Sequence, residues 1–549
     1  MGTKKVRTAP SGVVRARRLE PAAPAPVVRD PDVLAAYLDD ASSSGSGQSA
    51  GVVRPQSEGE AAAFLRATSG RGVRVLPQAA RSSLTGGAIP RGEVVLSSER
   101  MTGIGALIRR DGGARIDVEP GVRLRELQQH LTERGFYYPP VPTYQEAMIG
   151  GSVATNAGGA ATFKYGVTRD WVLGLRILLY NGDVIELQRG DAVAAPGEWF
   201  RIELSDGNRL EVPAPCYAIP KLKKISAGYF AAAPLDLVDL FVGSEGTLGW
   251  ISGVTLRLVP LPVTVLTGLV FVDSTERAIA LAAALRAAGE RAAVGEPSPD
   301  VRAIEWMDSG CLELLRVHGD ARRTRVEIPA RAQGALLFEV EFTERLTAAD
   351  SVDQLEAVLE GDETRPGPLA CLFRILRDHA ALRELELALP EDHARQEALR
   401  EFRESVPRRV NEILGERRRH DPGVQKVGGD LIVPFAEVGE MIRRYAEGFE
   451  RRGLEYAVWG HLSDGNLHPN AIPSTAAETA EARAAQLEFA AEAQARGGSP
   501  LSEHGVGRSA LKQELLRRFL GDAAVAEMRA IKASLDPEGR FAPGVLFPE

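Results

Sequence analysis

Ile149-Gly-Gly-Ser-Val-Ala-Thr-Asn-Ala-Gly-Gly159 is the stretch from which the rest of the chain is read. Two glycine pairs bracket Thr155 and Asn156. Side chains this small fill no core, but they let backbone N–H groups approach a ligand closely. Close packing of two elements would account for one Gly-Gly pair. Two pairs so near each other favour a ligand cradle.

Working outward, short strands and helices alternate on the N-terminal side. Strands are expected at Val52-Val53, Val73 to Pro77, Val94 to Leu96, Ile104 to Ile108 and Ala114 to Val118, with helices at Glu58 to Thr68 and Leu124 to Arg134. A loop from Gln78 to Gly87 interrupts them. On the C-terminal side, Trp171 to Leu187 reads as two strands joined at Asn181-Gly-Asp183, a hairpin turn. Phe241-Val-Gly-Ser-Glu-Gly-Thr-Leu-Gly-Trp-Ile251 is a second glycine-spaced loop, followed by a strand at Val254 to Leu258. This grammar is that of a mixed α/β or α+β domain.

Pro260-Leu-Pro262 marks a boundary. Beyond it come a strand at Val265 to Val272 and an alanine-rich helix capped by Ser274 or Thr275. Strands follow at Leu336 to Phe342, Asp430 to Val433 and Tyr456 to Trp459, and helices at Glu437 to Arg451 and Ala476 to Ala495. The expected unit is an α+β cap with helices on one face of an antiparallel sheet.

The 549 residues are too many for one simple core, so two or three domains are expected. The net charge of −8 argues against a nucleic-acid binder. Cys216, Cys311 and Cys371 are scattered and odd in number, which excludes a readable disulfide framework or iron–sulfur motif and fits a reducing, cytoplasmic compartment. No unbroken apolar run is long enough to span a bilayer. The basic N-terminus (Lys4, Lys5, Arg7, Arg15, Arg17, Arg18) leads into Leu19-Glu-Pro21, not an apolar segment, so it is read as a partly disordered extension over 1–47 and not as an export signal.

The chemistry concentrates near the C-terminus, in Gly460-His-Leu-Ser-Asp-Gly-Asn-Leu-His-Pro-Asn470 and Ser502-Glu-His-Gly505. Imidazole and carboxylate ligands suit borderline divalent ions such as Zn²⁺ or Mn²⁺. His461, His468 and Glu503 are therefore candidate ligands, with His504 free to move a proton. From spacing alone, packing and surface roles for these residues stand equally open. Three of the chain's eight histidines fall in this motif and the next, which favours a site.

Together these stretches resemble the FAD-linked oxidase and dehydrogenase family of the vanillyl-alcohol oxidase fold, in its D-lactate, glycolate and D-2-hydroxyglutarate dehydrogenase branch. Pro77 to Gly87, Ile149 to Gly159 with Lys164-Tyr-Gly166, Gly243 to Ile251, the histidine motif and the closing Lys532 to Gly544 carry the match, in the family's order. The resemblance implies a two-part FAD-binding domain (48–261), an α+β cap (262–505) and a C-terminal segment (506–549) returning to the FAD domain. It implies that Pro77, Gln78, Ala79, Ala80, Arg81, Ser82, Ser83 and Gly86 lie along the FAD pyrophosphate. Gly150, Gly151, Thr155, Asn156, Ala157, Gly158 and Tyr165 would line the cofactor with Glu245, Gly246, Thr247, Leu248, Gly249 and Ile251. Relatives carry glycines where this chain has Ala79 and Arg81; Arg81 offers a positive charge to the pyrophosphate in exchange. The loop has no histidine, so the FAD it implies is non-covalent.

The activity implied is oxidation of a D-2-hydroxy acid to the 2-oxo acid. A divalent metal on His461, His468 and Glu503, Zn²⁺ or Mn²⁺, would acidify the hydroxyl, and His504 would be the general base. The resemblance assigns Arg403 and Lys426 to the substrate carboxylate, and Asn466 is a further candidate for substrate or for a supporting group. Electrons would pass to a separate acceptor: an electron-transfer flavoprotein, quinone, cytochrome or iron–sulfur partner. A homodimer and a peripheral membrane contact through the acceptor stay open. Two other readings are an alkylglycerone-phosphate-synthase-like non-redox flavoenzyme and a flavin-binding subunit of a larger dehydrogenase. The former is not expected to carry the Asp464-Gly-Asn466 turn between spaced histidines, and the latter has no need of a base.

Overall fold

A computed structural model describes residues 13–42, 44–110, 112–140 and 144–549. Lys4, Lys5 and Arg7 lie outside them. From residue 13 the N-terminal extension is built into the first half of the molecule and is not a free tail. Val14–Arg15 pairs in parallel with Trp199–Glu203, and Val27–Val28 pairs with Gly51–Val53.

The first half contains two principal sheets. In the smaller, Gly51–Val53, Val94–Ser97 and Val75–Gln78 run parallel in that spatial order. The amphipathic helix Glu58–Thr68 connects two of these strands. Its cap is Ser57, whose side chain accepts from Glu60 N. The larger sheet is antiparallel and ordered Val184–Gln188, Val172–Leu178, Trp250–Pro260, Gly113–Val118, Ile108–Arg110. Its outer pair is the hairpin turning at Asn181-Gly182-Asp183. The Asn181 side chain accepts from Asp183 N, and Gly182 takes φ +77°.

The second half is organised on an antiparallel eight-stranded sheet. Its spatial order is Leu385–Ala388, Thr264–Val272, Gly334–Phe342, Asp300–Asp308, Tyr456–His461, Asn466–Ala471, Val427–Gly428, with Leu431–Ile432 also on Asn466–Ala471. Helices cover both faces of this sheet, which corrects the one-sided arrangement expected above. Leu266, Val270, Phe338 and Val340 face Thr275–Ala293, Pro368–Asp378, Val438–Glu450 and Ala476–Ala495. Leu269, Phe271 and Leu337 face Ser309–Val317 and His393–His420 through Leu312, Phe402 and Val406. The alternating strand Gly334–Phe342 reads as half exposed because Glu339 and Glu341 fall on one face. Both are buried there and paired with Arg302.

The C-terminal helix Ala510–Leu535, kinked at Gly521, returns to the first half and buries Leu516, Met528, Ile531 and Leu535 against its core. Past it, Arg540 O accepts from Val75 N, and Ala542 N donates to Val75 O. The last residues thus extend the parallel sheet beside the Pro77 loop.

Candidate active site

Between the two halves lies a cavity of about 1360 Å³. That is more than a small hydroxy acid fills, and it leaves room for an extended dinucleotide. Three loops of the first half form one wall. Pro77, Gln78, Ala79, Ala80, Arg81, Ser82 and Ser83 all line it, as do Gly150, Gly151, Thr155, Ala157 and Gly158, and Glu245, Gly246, Gly249 and Ile251. The loops interlock where side chains are missing. A Cβ on Gly151 would stand 3.1 Å from Ala79 Cβ, and one on Gly246 would stand 3.1 Å from the Pro77 ring. This wall of small residues and open backbone fits a flavin dinucleotide.

Arg81 adopts φ +57°, the left-handed region in which glycine carries no penalty. The guanidinium lies over the Tyr37 ring, 5.4 Å from its centroid. Glu245, also left-handed at φ +52°, accepts from Val506 N and Gly507 N at 2.8 Å each and clips the C-terminal segment to the loops. Burial pushes its carboxyl up to about 7, against those two N–H groups.

Five expected cofactor residues are not on the wall. Gly86 stands back while Gly87 lines the cavity. Asn156 is buried at φ +50°, and its side chain accepts from Arg169 N, so it shapes the loop from behind. Thr247 donates to Ser244 O, and Leu248 belongs to the core. Tyr165 donates to Glu341 Oε2 at 2.6 Å, beside the Lys164–Glu341 ion pair, and so anchors the cap to the first half.

The opposite wall carries the histidines. The strands Tyr456–His461 and Asn466–Ala471 form a hairpin, with His461 paired to Asn466 and Trp459 to His468. Its turn is Leu462 to Gly465, in which Gly465 takes φ +85°. Three imidazoles converge on one oxygen. Glu503 Oε1 lies 3.4 Å from His461 Nε2, 3.2 Å from His468 Nε2 and 3.4 Å from His504 Nε2. The first two rings are almost fully buried; the His504 side chain is 24% exposed and faces the cavity.

Burial pushes His468 down to about 4, leaving a neutral ring with a lone pair for a cation. Burial also opposes charge on His461, but Glu305 overcomes it and pushes the ring up to about 9. Glu503 is desolvated too, yet Lys224 and His461 hold its carboxyl well below the usual carboxylate range. Nitrogen and oxygen donors gathered in this way fit a divalent ion.

The described side chains whose ligand atoms all lie within 4.8 Å of one another are Asp430, His468, Glu503 and His504, a group that includes two of the three expected ligands and leaves out His461. The Asp430 oxygens are already engaged. Oδ2 accepts from Glu503 N at 3.0 Å and His504 N at 2.9 Å and faces Lys512 Nζ at 3.3 Å; Oδ1 accepts from Ser502 Oγ at 2.5 Å. It faces the Nδ1 sides of His468 and His504, at 3.9 and 3.7 Å. Neither separation is a hydrogen bond, and the buried His468 Nδ1 has no hydrogen-bond partner.

The expected substrate residues divide. Arg403 and Lys426 line the cavity. Arg403 is committed on one side, with Nη2 2.6 Å from Glu305 Oε2, while its buried Nε has no hydrogen-bond partner. Lys426 has no ion-pair partner among the described residues, and burial, with Lys512 adding, pushes its ammonium down to about 8. Asn466 is not on the wall. Its amide donates to Leu431 O and Asp430 and supports that carboxylate, while Asn470 of the same strand lines the cavity. Glu305, Lys224, Asp430 and Lys512 escaped the sequence reading, because isolated Glu, Asp and Lys residues give no local signal in a chain with 140 charged residues.

A model of the FAD binding domain matches residues 49–188, and a model of the C-terminal domain of FAD linked oxidases matches residues 261–546. The glycolate oxidase subunit GlcD of Bacillus subtilis is 27% identical over 500 residues, covering 90% of this chain and 88% of that protein. The D-2-hydroxyglutarate dehydrogenase of Stutzerimonas stutzeri is 27% identical, covering 95% and 96%. The mitochondrial D-lactate dehydrogenase (cytochrome) of Arabidopsis thaliana is 27% identical, covering 90% and 73%. Among solved structures, an alkyldihydroxyacetonephosphate synthase superposes with a TM-score of 0.55 at 16% identity, covering 90% of this chain and 75% of that one. That likeness speaks for the fold alone.

Proposed function

Because the chain belongs to the FAD-linked oxidases, we propose that it uses FAD and a divalent metal to oxidise a D-2-hydroxy acid to its 2-oxo acid. It is an oxidoreductase acting on CH–OH groups, and its substrate is a small molecule. The observation that carries the finer reading is the convergence of three imidazoles on Glu503 Oε1, on the wall facing the flavin loops.

His461, His468 and Glu503 would hold the metal, Zn²⁺ or Mn²⁺. The interlocked loops around Ala79, Gly151 and Gly246 would hold FAD. When bound, the flavin supplies a two-electron acceptor, and the metal supplies positive charge that makes a hydroxyl acidic. The protein's own residues do the rest. Lys426 pairs with the substrate carboxylate, and Arg403, which also lines the cavity, adds a second positive charge toward the same anion. His504, the most accessible of the three rings, takes the hydroxyl proton at Nε2, with the Asp430 carboxylate 3.7 Å from its Nδ1 supplying negative charge on the far side. The electrons then leave to a separate acceptor. No helix among the described residues is long and apolar enough to cross a membrane.

The test is anaerobic mixing of the FAD-loaded protein with D-lactate, glycolate and D-2-hydroxyglutarate in the presence of Zn²⁺ or Mn²⁺. Bleaching of the flavin absorbance is expected with at least one acid and is lost on chelation. Absence of bleaching across that series and longer D-2-hydroxy acids overturns the reading.

A further inference from the structure

We propose that Glu305 is a positioning residue serving both ends of the reaction site, orienting the metal ligand His461 with one carboxylate oxygen and Arg403 with the other. The proposal rests on the function argued above.

The arrangement begins with strand register. Asp300–Asp308 runs antiparallel to Tyr456–His461, and Glu305 stands directly opposite His461. Directly opposed side chains share a face with Cβ atoms roughly 5 Å apart, so the two meet without any loop to place them. Glu305 Oε1 lies 2.5 Å from His461 Nδ1. A carboxylate on Nδ1 holds the proton there, so Nε2, which faces Glu503 Oε1 at 3.4 Å, is the nitrogen left to exchange its proton for a cation. Glu305 Oε2 lies 2.6 Å from Arg403 Nη2, contributed by the helix His393–His420. Both carboxylate oxygens are thus used, each on a group that itself lines the cavity.

A carboxylate present only to fill space would have no reason to divide its oxygens in this way. Burying it is costly unless both oxygens are satisfied. The consequence is mechanical: a shift of Glu305 moves the metal ligand and the substrate anchor together.

Glu305→Gln keeps the size but sets an amide N–H₂ against either the imidazole N–H or the guanidinium. In FAD-loaded, chelator-stripped protein, calorimetric titration with Mn²⁺ or Zn²⁺ should show affinity lowered about 10- to 100-fold, with FAD content unchanged. KM for the accepted hydroxy acid should rise along with it. Glu305→Asp, which keeps the charge but shortens the reach, should fall between. If Glu305→Gln does not retain FAD, Glu305→Gln/Arg403→Gln removes the ion pair as a unit and should show the same loss of metal affinity. In a His461→Asn background, Glu305→Gln should cost no further metal affinity. Wild-type metal affinity in the FAD-loaded variants, or a full additive loss in that background, overturns the proposal. A wild-type protein that binds no divalent metal and oxidises no hydroxy acid would instead overturn the function on which it rests.

Discussion

Lys224 Nζ lies 2.8 Å from Glu503 Oε2 and 3.1 Å from Asp464 Oδ2, with the lysine side chain 1% exposed. The lysine leaves Oε1 of Glu503 for the three imidazoles. Its stem passes the flavin-side loop, where a Cβ on Gly158 would stand 3.4 Å from Lys224 Cδ. A residue of the first half therefore neutralises two carboxylates of the second and seats the candidate metal ligand beside the candidate flavin cradle.

Lys224→Met should leave two buried carboxylates without their cation. Breaking a buried pair from one side costs about 3–5 kcal/mol. Denaturant or thermal unfolding should show a loss of that order. Lys224→Met/Asp464→Asn should lose less, since one uncompensated charge goes with the lysine. An equal loss in both variants would mean that packing, not charge, explains the position.

His504→Ala should abolish substrate oxidation while FAD absorbance and metal content stay at wild-type levels. This follows from its place on the cavity side of the cluster. Loss of FAD on purification would instead make the ring structural.

Lys426 sets a pH dependence whose sign is fixed. Its ammonium is pushed down to about 8, so it is charged below that pH and neutral above it. An anionic substrate is then held below pH about 8 and released above, and kcat/KM, which reports the free enzyme, should fall on the alkaline side. Lys426→Arg keeps its charge throughout and should extend the plateau to higher pH. An unchanged alkaline limb in the arginine variant would remove Lys426 from substrate binding.

Arg81 tests the backbone of the pyrophosphate loop. At φ +57° a β-branched residue meets a penalty that glycine does not, about 1–2 kcal/mol. Arg81→Val should therefore bind FAD about tenfold more weakly than Arg81→Gly, measured by fluorescence quenching. Equal affinities would mean that the loop does not hold this conformation around the cofactor.

Much of the fold was legible in the chain. The helices Glu58–Thr68 and Ala476–Ala495 carry apolar spacing and Ser or Thr caps, and the hairpin at Asn181-Gly182-Asp183 carries its own turn chemistry. The helix His393–His420 was not legible, since Pro407 stands inside it and charged residues surround it. Arg81 shows the two kinds of information meeting: the sequence marks it as standing in a glycine's place, and the structure adds that φ is positive there.

The sequence by itself determined the kind of molecule: glycine-spaced loops followed by a histidine motif, in an order that identifies a flavin-binding half and a cap. These signals are local, because turns, caps and spaced ligands act over a few residues. Only the tertiary structure decided which groups support them. Asn466 and Tyr165 point away from the cavity. Glu305 meets His461 through strand register across 156 residues, and Lys224 meets Glu503 across 279. Charged side chains far apart in the chain carry no mark of their eventual partner; the packing of two sheets and their helices selects it, and burial then gives each pairing its strength.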